Sequence, residues 1–283
     1  MDENRKPLDD EIDWFGLTHQ GKVRKDNQDQ FMLASVHRRL KILATSVQEL
    51  DRLSLGDDRV AFLAMVADGV GGGVGGKRAS ATALEVVTEY VTSSSNCFLH
   101  ASSGEKEFVD TLQAAALRSH EAVRARAAVE AGGRSMATTL TMWMGVWPWY
   151  YLLQVGDSRY YCYRDGALKQ VSRDQTIAQD LVDQGVLSQT AANRSRLSDV
   201  LSSAIGADQA EPKVTRMHSD WGNVHLLCTD GLNKHVTDAR IAEILGAMTS
   251  SQQACELLLQ ETLDGGGSDN VSIIVGRLVA RPE

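Results

Sequence analysis

The sequence predicts an α+β domain in which strands and helices are segregated. Strand patterns come in adjacent runs and helical patterns come in pairs, whereas a doubly wound sheet would alternate them. Of the 283 residues, 43% are hydrophobic and 23% charged, which is ordinary globular usage and enough apolar material for a core. We expect a single domain over residues 11–280, an N-terminal tail at 1–10 and a mostly polar segment at about 175–212.

The first half of the chain carries three strand patterns and two helical patterns, at 12–18, 30–36, 59–68, 79–91 and 105–131. The third strand is strongly apolar and ends in a glycine-rich turn, and the second helix stops at a pair of glycines. A charged insertion at 37–58 fits neither period, so we predict no structure for it.

The second half opens with a β-rich block over 136–171. Trp147-Pro148 and Asp165-Gly166 mark its turns, and the Asp-Gly pair is a hairpin signal. Short helices, strands, longer helices and a final strand follow in that order, at 176–184, 189–195, 214–218, 223–229, 237–245, 251–263 and 270–279. The uncharged stretch 135–156 is long enough to span a bilayer, but its threonines, aromatic residues and proline favour two strands.

Charge and cysteine usage exclude several classes of protein. There are 29 basic and 37 acidic residues, a net charge of −8, so the chain lacks the basic footprint of a nucleic-acid binder. The four cysteines are far apart and form no CxxC pair. Because the N-terminus is charged and has no apolar core, we do not expect it to be a secretory signal. We therefore predict a cytoplasmic protein that binds neither nucleic acid nor membrane.

The glycine-rich stretch 69–76 follows a strand and opens a helix, and two phosphate-binding motifs fit it. Gly71, Gly73 and Gly76 match the dinucleotide fingerprint GxGxxG, but five of the six positions from 71 to 76 are glycine, so the spacing carries little information. The run 71–77 matches GxxxxGK of a nucleotide-binding loop, although Arg78 stands where a Ser or Thr would hold magnesium.

A third interpretation of this stretch gives the chemistry to Asp68. A carboxylate at the end of a buried strand is held rigidly, and the neighbouring glycine lets a backbone carbonyl approach a cation. Carboxylate and carbonyl oxygens with water suit magnesium or manganese. Taken alone, Asp68 fits a turn residue equally well.

Repetition of the pattern favours the metal site. Asp157, Asp230 and Asp269 also stand at strand ends beside glycine or small residues. On strands that share one sheet edge, four such aspartates would form an acidic cluster. Because clustered carboxylates repel one another unless cations neutralise them, two bound metal ions are the simplest explanation.

The chain resembles the metal-dependent protein phosphatases of the type 2C serine/threonine class, in their compact bacterial form. The resemblance covers about residues 14–279, with motifs in the family's order: VRKDNQD at 23–29, ADGVGG at 67–72, ATTLT at 137–141, VGDSR at 155–159, SRDQT at 172–176, CTDGL at 228–232 and SDNVSIIV at 268–275. It implies a four-layer α-β-β-α sandwich of two antiparallel sheets flanked by helix pairs, with a small flap at about 175–212.

The resemblance also implies a function and a set of roles. The chain would hydrolyse phosphoserine and phosphothreonine on proteins, with water activated between two Mn²⁺ or Mg²⁺ ions. The resemblance implies that Asp68 bridges the two ions, that the Gly69 carbonyl binds one of them, and that Asp230 and Asp269 complete the other. It also implies that Asp157 and Asp230 bind a third, weaker ion, that Asp29 orients metal-bound water, and that Arg24 binds the phosphate. Phosphorylated proteins would be the substrates and a Ser/Thr kinase the functional partner, and we expect a monomer.

Four positions depart from the family pattern. Gln28 stands where many members carry Glu, and Ala137 replaces a glycine. Val70 and Gln175 stand where a histidine is common, so no histidine matches a catalytic position and protonation of the leaving group has no assigned residue. A non-catalytic binding module that kept the fold, and a nucleotide-binding protein using Gly71–Lys77, are the alternative functions.

Overall fold

Two antiparallel β-sheets stacked between pairs of helices form the fold. The structure is a computed structural model that describes residues 5–39, 57–71, 74–94, 104–130 and 136–280. Its strands are β1 Ile12–His19, β2 Gln30–Arg39, β3 Asp57–Ala67, β4 Gly69–Val70, β5 Ala137–Thr138, β6 Leu140–Val146, β7 Trp149–Val155, β8 Arg159–Arg164, β9 Ala167–Gln170, β10 Lys213–His218, β11 Val224–Cys228 and β12 Val271–Leu278. Its α-helices are α1 Val74–Ser93, α2 Glu105–Glu130, α3 Ile177–Asp183, α4 Gln189–Ala192, α5 Asp230–Asn233, α6 Asp238–Ala247 and α7 Ser251–Asp264.

The described side chains bury three apolar interfaces. Sheet I has the strand order β10-β7-β6-β3-β2, and sheet II has the order β1-β12-β11-β8-β9. One apolar cluster joins sheet I to α1 and α2, a second joins sheet II to α6 and α7, and a third lies between the two sheets. Three such interfaces require four layers, so the predicted α-β-β-α sandwich is confirmed.

Helix α1 shows how the apolar period builds a layer. Ala79, Ala83, Val87 and Val91 recur every four residues and are buried against sheet I. The helix begins at Val74, five residues before the predicted start at 79. The sequence pattern missed that first turn because glycine has a low helix propensity.

The β-rich block has the predicted turns. β6 pairs with β7 across Trp147-Pro148, and β8 pairs with β9 across Asp165 and Gly166. Both residues of that second turn have positive φ, +50° and +83°, as a type I′ hairpin requires. The uncharged stretch therefore forms β5, β6 and β7, and no helix in the described part of the chain is long and apolar enough to cross a membrane.

The strand directions bring the four aspartates together. β3 and β7 are both antiparallel to β6, so they run in the same direction and their C-terminal ends lie at the same end of sheet I. In sheet II, β11 is antiparallel to β12, so the end of β11 lies beside the start of β12. The prediction of one shared sheet edge is wrong, since the aspartates come from the same end of two sheets that pack face to face.

The predicted flap begins and ends beside β7. The backbone N–H of Gly156, just after β7, donates to Gln175 Oε1 at 2.8 Å, and Gln175 Nε2 donates to the Glu211 carbonyl at 2.9 Å. Gln175 therefore ties both ends of the segment 175–212 to the sheet. Of the predicted insertion at 37–58, the ends extend β2 and β3, while residues 40–56 lie outside the described residues.

Candidate metal centre

One cavity of about 810 Å³ collects the acidic residues that the sequence singled out. Asp68, Asp157, Asp230 and Asp269 all line it, together with Arg24 and Gly69 among the other predicted site residues. Asp29 is the exception, because it does not line the cavity and the residue is only 1% exposed. Residues up to 245 positions apart in the chain thus meet at one place.

The backbone at Asp68 is fixed by the two threonines that join β5 to β6. The Asp68 N–H donates to Thr139 Oγ1 at 2.9 Å, and the Thr139 N–H donates back to the Asp68 carbonyl at 2.9 Å. Thr138 Oγ1 donates to the same carbonyl at 2.8 Å. The threonine pair of the ATTLT run therefore holds the end of β3 in place.

Gly69 permits the start of α1 to pack against the end of β3. A Cβ atom at residue 69 would lie 2.3 Å from the Gly76 carbonyl oxygen and 2.7 Å from the Gln28 carbonyl oxygen. Both neighbours are backbone atoms, which can move aside only if the main chain shifts. Any side chain at residue 69 would therefore displace the element that follows Asp68 in the cavity wall.

Asp29 is a buried carboxylate with one fixed oxygen and one open oxygen. Oδ2 accepts hydrogen bonds from Thr229 Oγ1 at 2.8 Å and Ser272 Oγ at 3.0 Å. Oδ1 is buried and has no hydrogen-bond partner among the described residues. Burial raises the pKa of Asp29 to about 7 and the nearby Asp230 carboxylate adds to the rise, although the two hydroxyl donors oppose it.

Burial and mutual repulsion both act on the carboxylates of the cluster, and burial is the larger effect. Burial, followed by the carboxylates of Asp29, Asp230, Asp157 and Asp269, raises the pKa of Asp68 well above its ordinary value. Burial and then Asp230 raise the pKa of Asp157 to about 7. These acids are therefore destabilised in the ionised form, and divalent cations would remove that penalty.

Two basic side chains neutralise part of the cluster. Arg24 forms a forked contact with Asp269, with Nε–Oδ1 at 2.7 Å and Nη2–Oδ2 at 2.8 Å. Lys234 Nζ lies 2.7 Å from Asp269 Oδ2 and 2.6 Å from Asp230 Oδ2. Although burial opposes it, hydrogen bonds from Arg24 and Lys234 lower the pKa of Asp269. Asp269 is thus the one carboxylate of the four that is held by cations on both oxygens.

Within the described ranges, no three His, Cys, Asp or Glu side chains converge closely enough to ligate one ion as they stand. In this arrangement the oxygens of Asp269 contact Arg24 and Lys234. The donor set nevertheless fits a hard cation. It consists of oxygen ligands, and Asp230 Oδ1 is buried without a hydrogen-bond partner in the described part of the structure.

Sequence reasoning missed Lys234 and Asp199. Lys234 stands four residues after Asp230, immediately after the short helix α5, and that spacing places the two side chains on one face. This spacing is the signal that could have found Lys234. Asp199 belongs to the flap, lines the cavity and contributes to the raised pKa of Asp230 behind burial and the neighbouring Asp269. No local pattern marks Asp199, since its position depends on how the flap folds over the site.

Solved structures show the same architecture. The crystal structure of the Mycobacterium tuberculosis serine/threonine phosphatase PstP/Ppp superposes with a TM-score of 0.76 at 26% identity, over 95% of this chain and 99% of that one. The catalytic domain of PstP in complex with two manganese ions superposes with a TM-score of 0.72, again at 26% identity and over 95% and 99% of the two chains. The sandwich and its acid-lined cavity are therefore those of the metal-dependent phosphatase class.

Sequence comparison gives the family. The profile of protein phosphatase 2C matches residues 49–265. The chain belongs to the protein phosphatase 2C family. It is 31% identical over 221 residues to the serine/threonine protein phosphatase PstP of Mycobacterium tuberculosis, a match that covers 77% of this chain and 41% of that protein. It is 24% identical over 214 residues to the serine/threonine phosphatase stp of Listeria innocua, covering 75% of this chain and 83% of that protein.

Proposed function

We propose that this chain is a serine/threonine protein phosphatase that works with Mn²⁺ or Mg²⁺. The observation that carries the proposal is the set of mutually repelling aspartates in one cavity, beside an arginine whose fork matches a phosphate. Family membership and the names of the relatives support the same activity.

Two metal ions would be held by the acids of both sheets. Asp68 and the Gly69 carbonyl would supply metal ligands just after β3 of sheet I. Asp230 and Asp269 would supply metal ligands from sheet II. When bound, such ions act as Lewis acids that lower the pKa of water and neutralise phosphoryl charge. The same oxygen donors serve manganese and magnesium.

Arg24 would bind the phosphate of the substrate. Its side chain is about half exposed (54%) at the cavity mouth, where an incoming phosphoserine can reach it. The guanidinium contacts both carboxylate oxygens of Asp269, and two oxygens of a phosphate group have a spacing similar to that of the two carboxylate oxygens. Arg24 would bind the phosphate in place of Asp269, whose carboxylate would serve as a metal ligand.

Asp29 would orient a water molecule from behind the cavity. Its Oδ2 is fixed by Thr229 and Ser272, which leaves the buried Oδ1 as an acceptor with a defined direction. A carboxylate held in this way accepts a hydrogen bond from water without turning. Asp29 is therefore a positioning residue in the proposal.

Asp157 would hold a third ion together with Asp230. Asp157 follows β7 and lines both the main cavity and an adjoining cavity of about 750 Å³ under the flap. Calorimetric titration of Mn²⁺ tests this assignment. We expect Asp157→Asn to lose one weak site and keep the two tighter ones, and an unchanged stoichiometry would contradict it.

The proposed substrates are proteins phosphorylated on serine or threonine by a kinase, in a cytoplasmic signalling role. The flap, with Asp199 and Val200 on the cavity wall, is the segment placed to contact residues that flank the phosphoserine. Phosphoserine, phosphothreonine and phosphotyrosine peptides of one sequence would separate these substrate classes.

Turnover of p-nitrophenyl phosphate and of a phosphothreonine peptide tests the activity. We expect turnover in Mn²⁺, its loss in EDTA, and its return when Mn²⁺ is added back. Arg24→Ala should raise KM for the peptide, whereas Arg164→Ala, which removes an exposed arginine of the β8–β9 hairpin, should not. Turnover that survives EDTA would contradict the proposal.

A second function is favoured by one observation. Arg24 and Lys234 both contact Asp269, and if those contacts persisted when metal bound, the chain would be a binding module that kept the fold without catalysis. Such a module would bind Mn²⁺ in calorimetry and show no turnover of either substrate.

A further inference from the structure

Lys234 bridges two residues that the proposed function makes metal ligands. Its ammonium nitrogen contacts Asp230 Oδ2 at 2.6 Å and Asp269 Oδ2 at 2.7 Å. A single cation that joins two carboxylates in this way occupies the kind of position that a metal ion takes between them. The contact is part of the fold, since Lys234 follows α5 and its N–H donates to the Asp230 carbonyl at 3.1 Å.

We propose that Lys234 is a tethered counter-cation that competes with the divalent metal for Asp230 and Asp269. Its ammonium holds the two carboxylates together and limits their repulsion. In the metal-loaded protein, the ammonium must leave at least one of them. The inference rests on the proposed function, because that function assigns Asp230 and Asp269 to the metal.

The surroundings of Lys234 allow this exchange. The side chain is one-third exposed (33%) and lines both cavities, so it is not locked in the core. Asp199 and Asp238 line the adjoining cavity under the flap, and their carboxylates could pair with the ammonium of Lys234 once it is displaced. The four-carbon side chain of Lys234 is long enough for its ammonium to reach these other carboxylates. The neighbouring Asn233 is shorter and carries no charge.

The charge of Lys234 sets the direction of the effect on affinity. A positive charge within a few ångströms of a carboxylate shifts its protonation equilibrium by about 10- to 1,000-fold. Removing that charge from the metal site should strengthen binding of a dication. We expect Lys234→Met to bind Mn²⁺ at least about tenfold more tightly than the wild type.

Calorimetry with matched variants tests the proposal. Lys234→Met keeps a long side chain and removes the charge, and Lys234→Arg keeps the charge. Lys213→Met is the control, since Lys213 is exposed and pairs only loosely with Glu211 at 3.9 Å. Tighter binding by Lys234→Met alone supports competition, while affinity equal to or weaker than that of the wild type overturns it.

A measurement on the wild-type protein keeps the test decisive if Lys234→Met does not fold. Acetylation of Lys234 by a small anhydride, followed by mass spectrometry, should be faster in Mn²⁺ than in EDTA because the metal releases the ammonium. Acetylation of Lys213 is the internal reference. Equal acetylation of Lys234 in both buffers overturns the proposal.

The outcomes also separate this inference from the proposed function. Mn²⁺-dependent turnover by the wild type, with unchanged affinity in Lys234→Met, would overturn the role of Lys234 and leave the phosphatase standing. Absence of Mn²⁺ binding in both proteins would overturn both. Binding that appears only in Lys234→Met would support the competition in its strongest form.

Discussion

Replacing Asp29 by asparagine should stabilise the metal-free protein at alkaline pH. The side chain is buried, and its pKa is raised from 3.8 to about 7 in the folded state, chiefly by burial. Because the folded state binds the proton more tightly than the unfolded state, the free energy of unfolding falls as pH rises from about 3.8 to about 7. Above that range the loss is complete and constant.

The magnitude follows from the two pKa values. Each pKa unit corresponds to about 1.4 kcal/mol, so the raised pKa of Asp29 lowers the free energy of unfolding by about 4 kcal/mol at pH 8, where Asp29 is ionised, and by about 2 kcal/mol at pH 5, where it is still protonated in the folded state. Asparagine has nearly the same shape, keeps an acceptor for Thr229 and Ser272, and carries no charge. Asp29→Asn should therefore gain up to about 4 kcal/mol at pH 8 and less at pH 5.

Urea unfolding in EDTA, followed by circular dichroism at pH 5 and pH 8, measures this difference. Asp165→Asn is the control, because Asp165 is exposed at the tip of a hairpin and its positive φ suits asparagine. If Asp29→Asn is no more stable than the wild type at pH 8, or if its advantage is the same at both pH values, burial does not raise the pKa of Asp29 as described.

Three further results are expected. Asp230→Asn should abolish Mn²⁺-dependent turnover of a phosphopeptide while circular dichroism shows an intact fold, and full turnover would remove the metal assignment. Arg24→Lys should raise KM for the phosphopeptide about tenfold or more, because one ammonium replaces a two-pronged contact; an unchanged KM would exclude phosphate binding by Arg24. Burial lowers the pKa of His225 to about 3, so unfolding free energy should fall as pH drops from about 6.5 to about 3. His225→Phe should flatten that slope in urea titrations, and an equal slope in both proteins would contradict the assignment.

Most secondary structure was predictable because it depends on local periodicity. The strands from Leu140 to Gln170 and their turns follow from β-branched and aromatic runs broken by Pro148 and Gly166. Element ends were less predictable. Helix α1 starts at Val74 because tertiary packing of Gly76 against Gly69 stabilises a turn that glycine propensity alone disfavours.

The candidate site was predictable as a set of residues and less so as a geometry. Asp68, Asp157, Asp230 and Asp269 were found from their places at strand ends and from the resemblance, and one cavity does collect them. Which of the two sheets carries each aspartate was not predictable, because strand periodicity does not say which strands pair.

Local pattern in the sequence determined the buried strands, helix faces and hairpin turns of this protein, and it marked the acids at strand ends as candidate site residues. Tertiary structure alone decided how those acids are neutralised. Arg24 reaches Asp269 across 245 residues, and Lys234 joins Asp230 to Asp269. The physical reason is that periodicity acts over a few residues, whereas the electrostatics of a buried carboxylate depend on whatever charge the fold brings within a few ångströms.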